Sequence, residues 1–345
     1  MSTPTSSSTG KPSAQSRNRL HPNTNHNQPK PSATGKLAGI KLPSPYVMLL
    51  LAPLLWATSN VTGKLGKGWL TPYEMTFWRW GIATLVLTFF ARSIIKQDWY
   101  IIKQHWLWLF VVGGGGFALF NILLYSAFSL GASVINVSII TALIPFGVIF
   151  FSAVIYKDKP HLLQWVGIAI AFFGVLWVLT KGQPFLFDQY SLALGDSLAL
   201  VTTGIYVAYS IALRHAPKIH WASMMWAMCV AGLIVATPFY GYDLLSNGVH
   251  FPDWRGWLML IYIAIFISLI SKLFYMESVI QIGADRASLA MNLLPVFGAV
   301  MGVLFFADEH MTLNHIIALS LVMLGIGCSE YGATRRRKFK MVSTS

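Results

Sequence analysis

Charge is scarce in this 345-residue chain, with Asp, Glu, Lys and Arg together at 11%, whereas soluble domains carry roughly 25%. That shortage excludes a soluble enzyme or a soluble nucleic-acid-binding domain. Acid is scarcer still, at 12 residues against 25 basic ones, and none falls in residues 1–45. Cysteine occurs twice, at Cys229 and Cys328, with no CxxC spacing, so neither a disulfide framework nor a thiolate metal site is available. No Gly-Lys-Ser/Thr follows the glycine tract Gly113–Gly116, which removes a phosphate loop. His215 and His220, like His310 and His315, stand five residues apart. That spacing gives no metal-binding helix face, and no cofactor or metal is expected.

Hydrophobic residues make up 55%, and mean hydropathy is +0.59. A bilayer core about 30 Å thick needs about 20 apolar residues per helix. The apolar region from Tyr46 to Thr334 accommodates ten such helices with short connections. The expected fold is an all-α integral membrane protein with spans near 46–66, 72–92, 106–129, 133–156, 162–180, 192–213, 222–244, 256–281, 285–307 and 312–332. Residues 1–45, rich in Ser, Thr, Pro, Asn and Lys, bury too little apolar area to offset ordering entropy and read as a disordered tail. An organellar targeting segment shares that composition. Residues 334–345 form a basic C-terminal tail.

The net charge of +13 lies in clusters that flank the spans, so its partners are membrane lipids rather than nucleic acid. With the N-terminus in the cytoplasm, the inner loops and tails hold 19 Lys and Arg and the outer loops four: Lys64, Lys67, Lys181 and Arg255. This asymmetry places both termini inside. Trp106, Trp108, Trp165, Trp221, Trp254 and Trp257 lie near span ends as an aromatic belt.

The chain repeats itself. Phe120–Ala132 aligns without a gap on Lys272–Ala284, matching Ser126, Gly131 and Ala132 to Ser278, Gly283 and Ala284. After a two-residue slip, Pro145 aligns with Pro295, and Asp158 with Asp308. The unit spans five helices, residues 46–181 and 192–333, and an odd number of crossings inverts the second copy. Inverted repeats are a recurring transporter architecture, with the site near midplane between the halves.

At these residues the chain resembles the drug/metabolite transporter superfamily, specifically its EamA-type branch. The resemblance rests on Ile282–Gly298 with Leu304–Glu309, on Trp56-Ala-Thr-Ser-Asn60, and on Phe77-Trp-Arg-Trp80 with its helix-two arginine. It covers residues 46–333. It implies ten helices around a central cavity and outward movement of small metabolites, often amino acids. Two departures stand out. Lys157-Asp158 replaces the branch's Gly-Glu, and helix one has no acid before Lys64, so the proton coupling of the small multidrug branch is not carried over.

Charges within spans are costly and mark function by default. Arg79 and Lys272 are the candidate substrate-binding cations, although a packing ion pair is an equal reading for Arg79. Trp56, Asn60, Trp78, Asn121, Tyr206, Tyr275 and Asn292 are further candidates, each also explicable by interhelical bonding or anchoring. Glu74, Glu277, Pro145 and Pro295 are candidates for gating or coupling, the prolines by kinking helices four and nine at equivalent places. Gly298 and Gly302 form a GxxxG face within the repeat interface or between subunits, which keeps a homodimer in view.

The functional expectation is a secondary transporter, an exporter or facilitator of small organic metabolites such as amino acids, in the cytoplasmic (inner) membrane. A second reading is an organophosphate or nucleotide-sugar antiporter, which would need adjacent basic residues deep in a late helix; none follows Arg286 in helix nine. Lower still stands a non-transport lipid-binding or scaffolding protein. An intramembrane enzyme would need a convergent nucleophile and base, and the spans offer none. A reporter fused near residue 188 should lie on the opposite side of the membrane from both termini; finding it on the same side would rule out five-helix inverted repeats.

Overall fold

The computed structural model describes residues 42–185, 193–249 and 251–343, with side chains at all of these except 284–286, 288 and 336–343. Nearly all of the 1–45 tail, with its expected disorder, therefore lies outside the described residues, as does most of the 182–191 connection.

The described residues are helical, with no strand among them. Helix α1 (Pro45–Leu65) is followed by α2 (Pro72–Phe90), α3 (Arg92–Gln104), α4 (Trp106–Ser129) and α5 (Val134–Tyr156). Next come α6 (Leu162–Leu179), α7 (Leu194–Ala212), α8 (Trp221–Asn247) and α9 (Trp254–Ile282). The last two are α10, in the pieces Ala284–Met291 and Leu294–Phe305, and α11 (Leu313–Ser343). Among the described residues, eight helical stretches are long and apolar enough to cross a membrane, and Leu289–Phe305 is a shorter apolar helix. The 19-residue α2, which carries Glu74 and Arg79, is not among those eight.

The sequence sets these boundaries locally. Ser44 and Thr71 cap α1 and α2, each directly before a proline in the first turn, where the missing N–H has no intrahelical partner to lose. The Asp253 carboxylate accepts from the Gly256 N–H at 2.8 Å and starts α9. Helix α3 falls between the second and third expected spans and was not foreseen. Its apolar residues form one narrow stripe among charges, so it has no run long enough to register as a span. Helix α11 continues through the basic segment assigned to the C-terminal tail.

Local irregularities recur at matched positions. Helix α4 loosens into a π-helical segment at Gly114–Leu119, directly before Phe120, and α9 does so at Ile263–Ile270, one residue short of the aligned Lys272. Helices α5 and α10 break at residues 142–143 and 292–293, just before Pro145 and Pro295. A proline removes one ladder donor and its ring crowds the carbonyl four residues upstream. The expected kinks are therefore present at both places.

Close packing relies on glycine. A Cβ on Gly167 of α6 would sit 2.5 Å from the Gly325 carbonyl oxygen of α11, and one on Gly325 would sit 2.7 Å from that of Gly167. The two backbones touch reciprocally, as small residues allow between membrane helices. The Gly113–Gly116 tract serves the same end. A Cβ on Gly113 would meet the Met228 backbone at 2.8 Å, and one on Gly116 the Tyr209 ring at 2.2 Å.

Candidate functional site

A cavity of about 470 Å³ lies among α1, α2, α4, α5, α7, α9, α10 and α11. Nine of the residues singled out from sequence line it: Trp56, Asn60, Arg79, Asn121, Pro145, Tyr206, Lys272, Asn292 and Pro295. Four stand outside the lining. Trp78 packs edge-on against Trp257 and Phe77, and Tyr275 lies behind Trp56 with ring centroids 5.8 Å apart. Glu74 is buried in the first turn of α2, beyond the cavity. Glu277 accepts from Gln281 one turn along α9.

Arg79 has no ion pair among the described residues. Its Nε donates to Ser268 Oγ at 2.7 Å, and its Nη1 donates to Asn121 Oδ1 at 2.9 Å, Tyr125 Oη at 2.6 Å and Ser59 Oγ at 3.4 Å. All its acceptors are neutral, and they come from α1, α4 and α9. Nη2 makes no hydrogen bond to a described residue, while Arg79 itself lines the cavity. The Trp80 ring lies 5.0 Å from the guanidinium carbon and donates its own N–H to the Phe117 carbonyl. Ser59, Tyr125 and Ser268 were not foreseen, because neutral side chains far apart in sequence give no signal of converging on one arginine.

Lys272 follows the π-helical segment of α9 and also lines the cavity. Its ammonium lies 5.0 Å from the Phe117 ring centroid and has no hydrogen-bond or ion-pair partner among the described residues. Asn60 donates to Ser138 Oγ at 3.1 Å. Glu330, on α11, is the acid of the lining. The walls are otherwise largely aromatic and aliphatic, with Phe117, Phe120 and Tyr206 among them.

Each end of the helix bundle carries an ion pair over an aromatic ring. At one end, Lys64 Nζ donates to Asp308 Oδ2 and to Glu309 Oε1, both at 2.8 Å, and lies 4.5 Å from the Phe306 ring centroid. At the other, Arg214 Nη2 donates to Asp158 Oδ2 at 2.7 Å, and the Arg214 guanidinium carbon lies 4.6 Å from the Tyr156 ring centroid. Cation, ring and aspartate of one set each stand 150 positions from their counterparts in the other. Only the Asp158–Asp308 correspondence was legible in the sequence.

The two ends differ in one respect. Glu309 accepts from the backbone N–H groups of Val134 and Ile135 at 2.6 and 3.1 Å, and from the Ser133 hydroxyl at 3.2 Å. It thereby caps the N-terminus of α5, where unsatisfied donors and the helix dipole favour a carboxylate. The residue 150 positions earlier is Lys159, which cannot play that part. Gly298 and Gly302 bring the second piece of α10 onto the first piece of α5 at this end, against Ser138 and Ile135. Farther along, Val148 and Ile149 of α5 and Met291 and Asn292 of α10 line the central cavity. The Lys64 ammonium holds the Asp308 carboxyl below its ordinary value of 3.8. That pair therefore contributes fully above this value and is lost as pH falls through the lowered one.

The model of the EamA-like transporter family matches residues 43–180 and again 193–329. The uncharacterized transporter YyaM of Bacillus subtilis is 25% identical over 288 residues, covering 81% of this chain and 92% of its own. An uncharacterized transporter of Archaeoglobus fulgidus is 26% identical over 289 residues, 81% of this chain and 96% of that one. The pseudopaline exporter CntI of Pseudomonas aeruginosa is 23% identical over 271 residues, 77% and 89% of the two chains. A crystal structure superimposes with a TM-score of 0.53 at 19% identity, over 83% of this chain and 96% of that one, and attests the fold.

The Glu309 side chain is 3% exposed and that of Asp308 71%. Glu309→Ala strands the Val134 N–H and leaves Lys64 with Asp308 alone, a loss of about 1–3 kcal/mol for a buried donor left unsatisfied. Asp308→Asn should change little. Thermal unfolding in detergent checks this: a clear drop in Tm for the first variant only.

Proposed function

The chain belongs to the EamA-like transporter family, and on that premise we propose a ten-span secondary transporter, an exporter or facilitator, for a small metabolite bearing a carboxylate, such as an amino acid. That it is a membrane transporter of small molecules, and not an enzyme, follows from the family and its relatives. The observation that carries the finer reading is the charge of the cavity. Lys272 and Nη2 of Arg79 have no protein partner among the described residues, and Glu330 lies in the same lining. A carboxylate satisfies the two cations through charge-assisted hydrogen bonds. An ammonium on the same solute has Glu330 as its acceptor. Aromatic walls suit an apolar side chain. The outward direction draws on the relative named as an exporter, and the membrane is the cytoplasmic one with both termini inside.

The two halves act as inverted repeats. Support comes from the double family match, the matched π-helical segments, the matched breaks before Pro145 and Pro295, and the paired ion clusters 150 residues apart. The ion pairs of Lys64 with Asp308 and Glu309 and of Arg214 with Asp158 serve as the two gates. Transport opens them in alternation, with α5 and α10 flexing at their breaks. In the proposed topology the Lys64 end faces outward.

Proteoliposome counterflow with labelled amino acids and, separately, sugar phosphates tests this. An amino acid should exchange, and Lys272→Gln should weaken it about tenfold or more, the scale of one hydrogen bond to a charged group, while Lys272→Arg retains most exchange. Exchange of sugar phosphates alone favours the antiporter reading. No exchange at all, or an unaffected Lys272→Gln variant, overturns the proposal.

A further inference from the structure

A second cavity, of about 440 Å³, lies away from the central one, between the end of α2, the surface helix α3 and α8. Thr88, Arg92, Ile95, Lys96, Trp99 and Trp226 line it. At 100° per residue, Arg92, Lys96 and Trp99 fall on one stripe of α3. Ile95 and Ile102 lie beside that stripe, buried against the body of the protein. The acid of α3, Asp98, projects from another side and accepts from the His220 N–H at 3.0 Å, which ties α3 to the start of α8. No carboxylate therefore lines the cavity. Neither Arg92 nor Lys96 has a hydrogen-bond or ion-pair partner among the described residues.

The remaining polar groups are already engaged. The Trp226 indole donates to Thr88 Oγ1 at 2.7 Å, and the Trp99 and Trp226 rings lie 6.1 Å apart at 58°. These rings give the cavity an apolar floor beneath two free cations. Phe89 and Phe90, at the end of the adjoining α2, are 78% and 71% exposed. Cation above, indole between and bare phenyl rings beyond is the gradient a phospholipid presents, from phosphodiester through the interface to acyl chain.

We infer that this cavity is a specific site for an anionic phospholipid of the leaflet at the Arg92 end of the spans. The Arg92 guanidinium meets two phosphodiester oxygens in its planar fork, Lys96 adds a point charge, and the glycerol and upper acyl chains lie on Trp99, Trp226 and the Phe89–Phe90 edge. A free phosphate would gain the cations alone and leave the aromatic floor bare, so the lipid is the occupant.

Native mass spectrometry of the delipidated full chain, titrated with phosphatidylglycerol or phosphatidylcholine, tests the site. The first phosphatidylglycerol should bind about tenfold tighter than phosphatidylcholine, since each basic side chain near an anionic headgroup contributes several-fold. The variant R92Q/K96Q should lose that preference, while Arg92→Lys keeps most of it. Both positions are exposed, and far-ultraviolet circular dichroism confirms that R92Q/K96Q retains the wild-type helix content. R335Q, at the far end of the chain, should behave as wild type. The inference is overturned if R92Q/K96Q keeps the wild-type preference, if the two lipids bind alike, or if R335Q loses as much. Displacement of the lipid by millimolar inorganic phosphate would assign the cavity to a free anion instead.

Discussion

A guanidinium buried without a carboxylate is the constraint around which the bundle is arranged. Moving an ion from water into a protein interior costs several kcal/mol even after relaxation. Arg79 offsets that cost with neutral acceptors from Ser59, Asn121, Tyr125 and Ser268, and so its charge remains. Two of the three helices that supply those acceptors carry π-helical segments at the site. Ser268 lies within the one in α9 and bonds back to the Ile263 carbonyl. Asn121 and Tyr125 come directly after the one in α4, where Asn121 also bonds to the Phe117 carbonyl. An extra residue in a helical turn rotates every later side chain about the helix axis and is a recurrent feature of functional sites. Here it aims three polar groups at one arginine and leaves Lys272 on the cavity wall.

The two ends obey the same chemistry with different partners. Both have a cation over an aromatic ring beside an aspartate. Only the Lys64 end adds a buried carboxylate seated on a helix N-terminus. Lys159 stands where the other end would need such an acid, so the two ends are not chemical copies of one another.

Much of this was legible in the sequence. The eight long apolar helices and the shorter Leu289–Phe305 track apolar runs that bilayer thickness dictates, and the broken helices track aligned Pro. Arg79, Lys272, Asn60 and Asn121 are polar groups where the bilayer penalises them, and all line the cavity. The features that escaped notice have a common cause. The Arg79 acceptors and the bonds from Glu309 to residues 134 and 135 join positions up to 189 residues apart, beyond the reach of periodicity. Trp78 and Tyr275 are deep aromatic residues like Trp56, and composition could not tell a ring that lines the cavity from one that packs behind it. Helix α3 was hidden because an interfacial helix is recognised by the face it shows, not by its hydropathy.

The central cavity holds two cations, Arg79 and Lys272, against one acid, Glu330, and a solute carboxylate would meet the excess. The most direct measurement is thermal unfolding of the purified protein with matched pairs of free amino acids and their methyl esters, which differ in the carboxylate charge and by one methyl group. At a concentration near a hundred times Kd a ligand stabilises by about 2.7 kcal/mol. A free acid that raises Tm by several degrees while its ester leaves it unchanged is the predicted result. Esters that stabilise as well as their acids, or better, would contradict it.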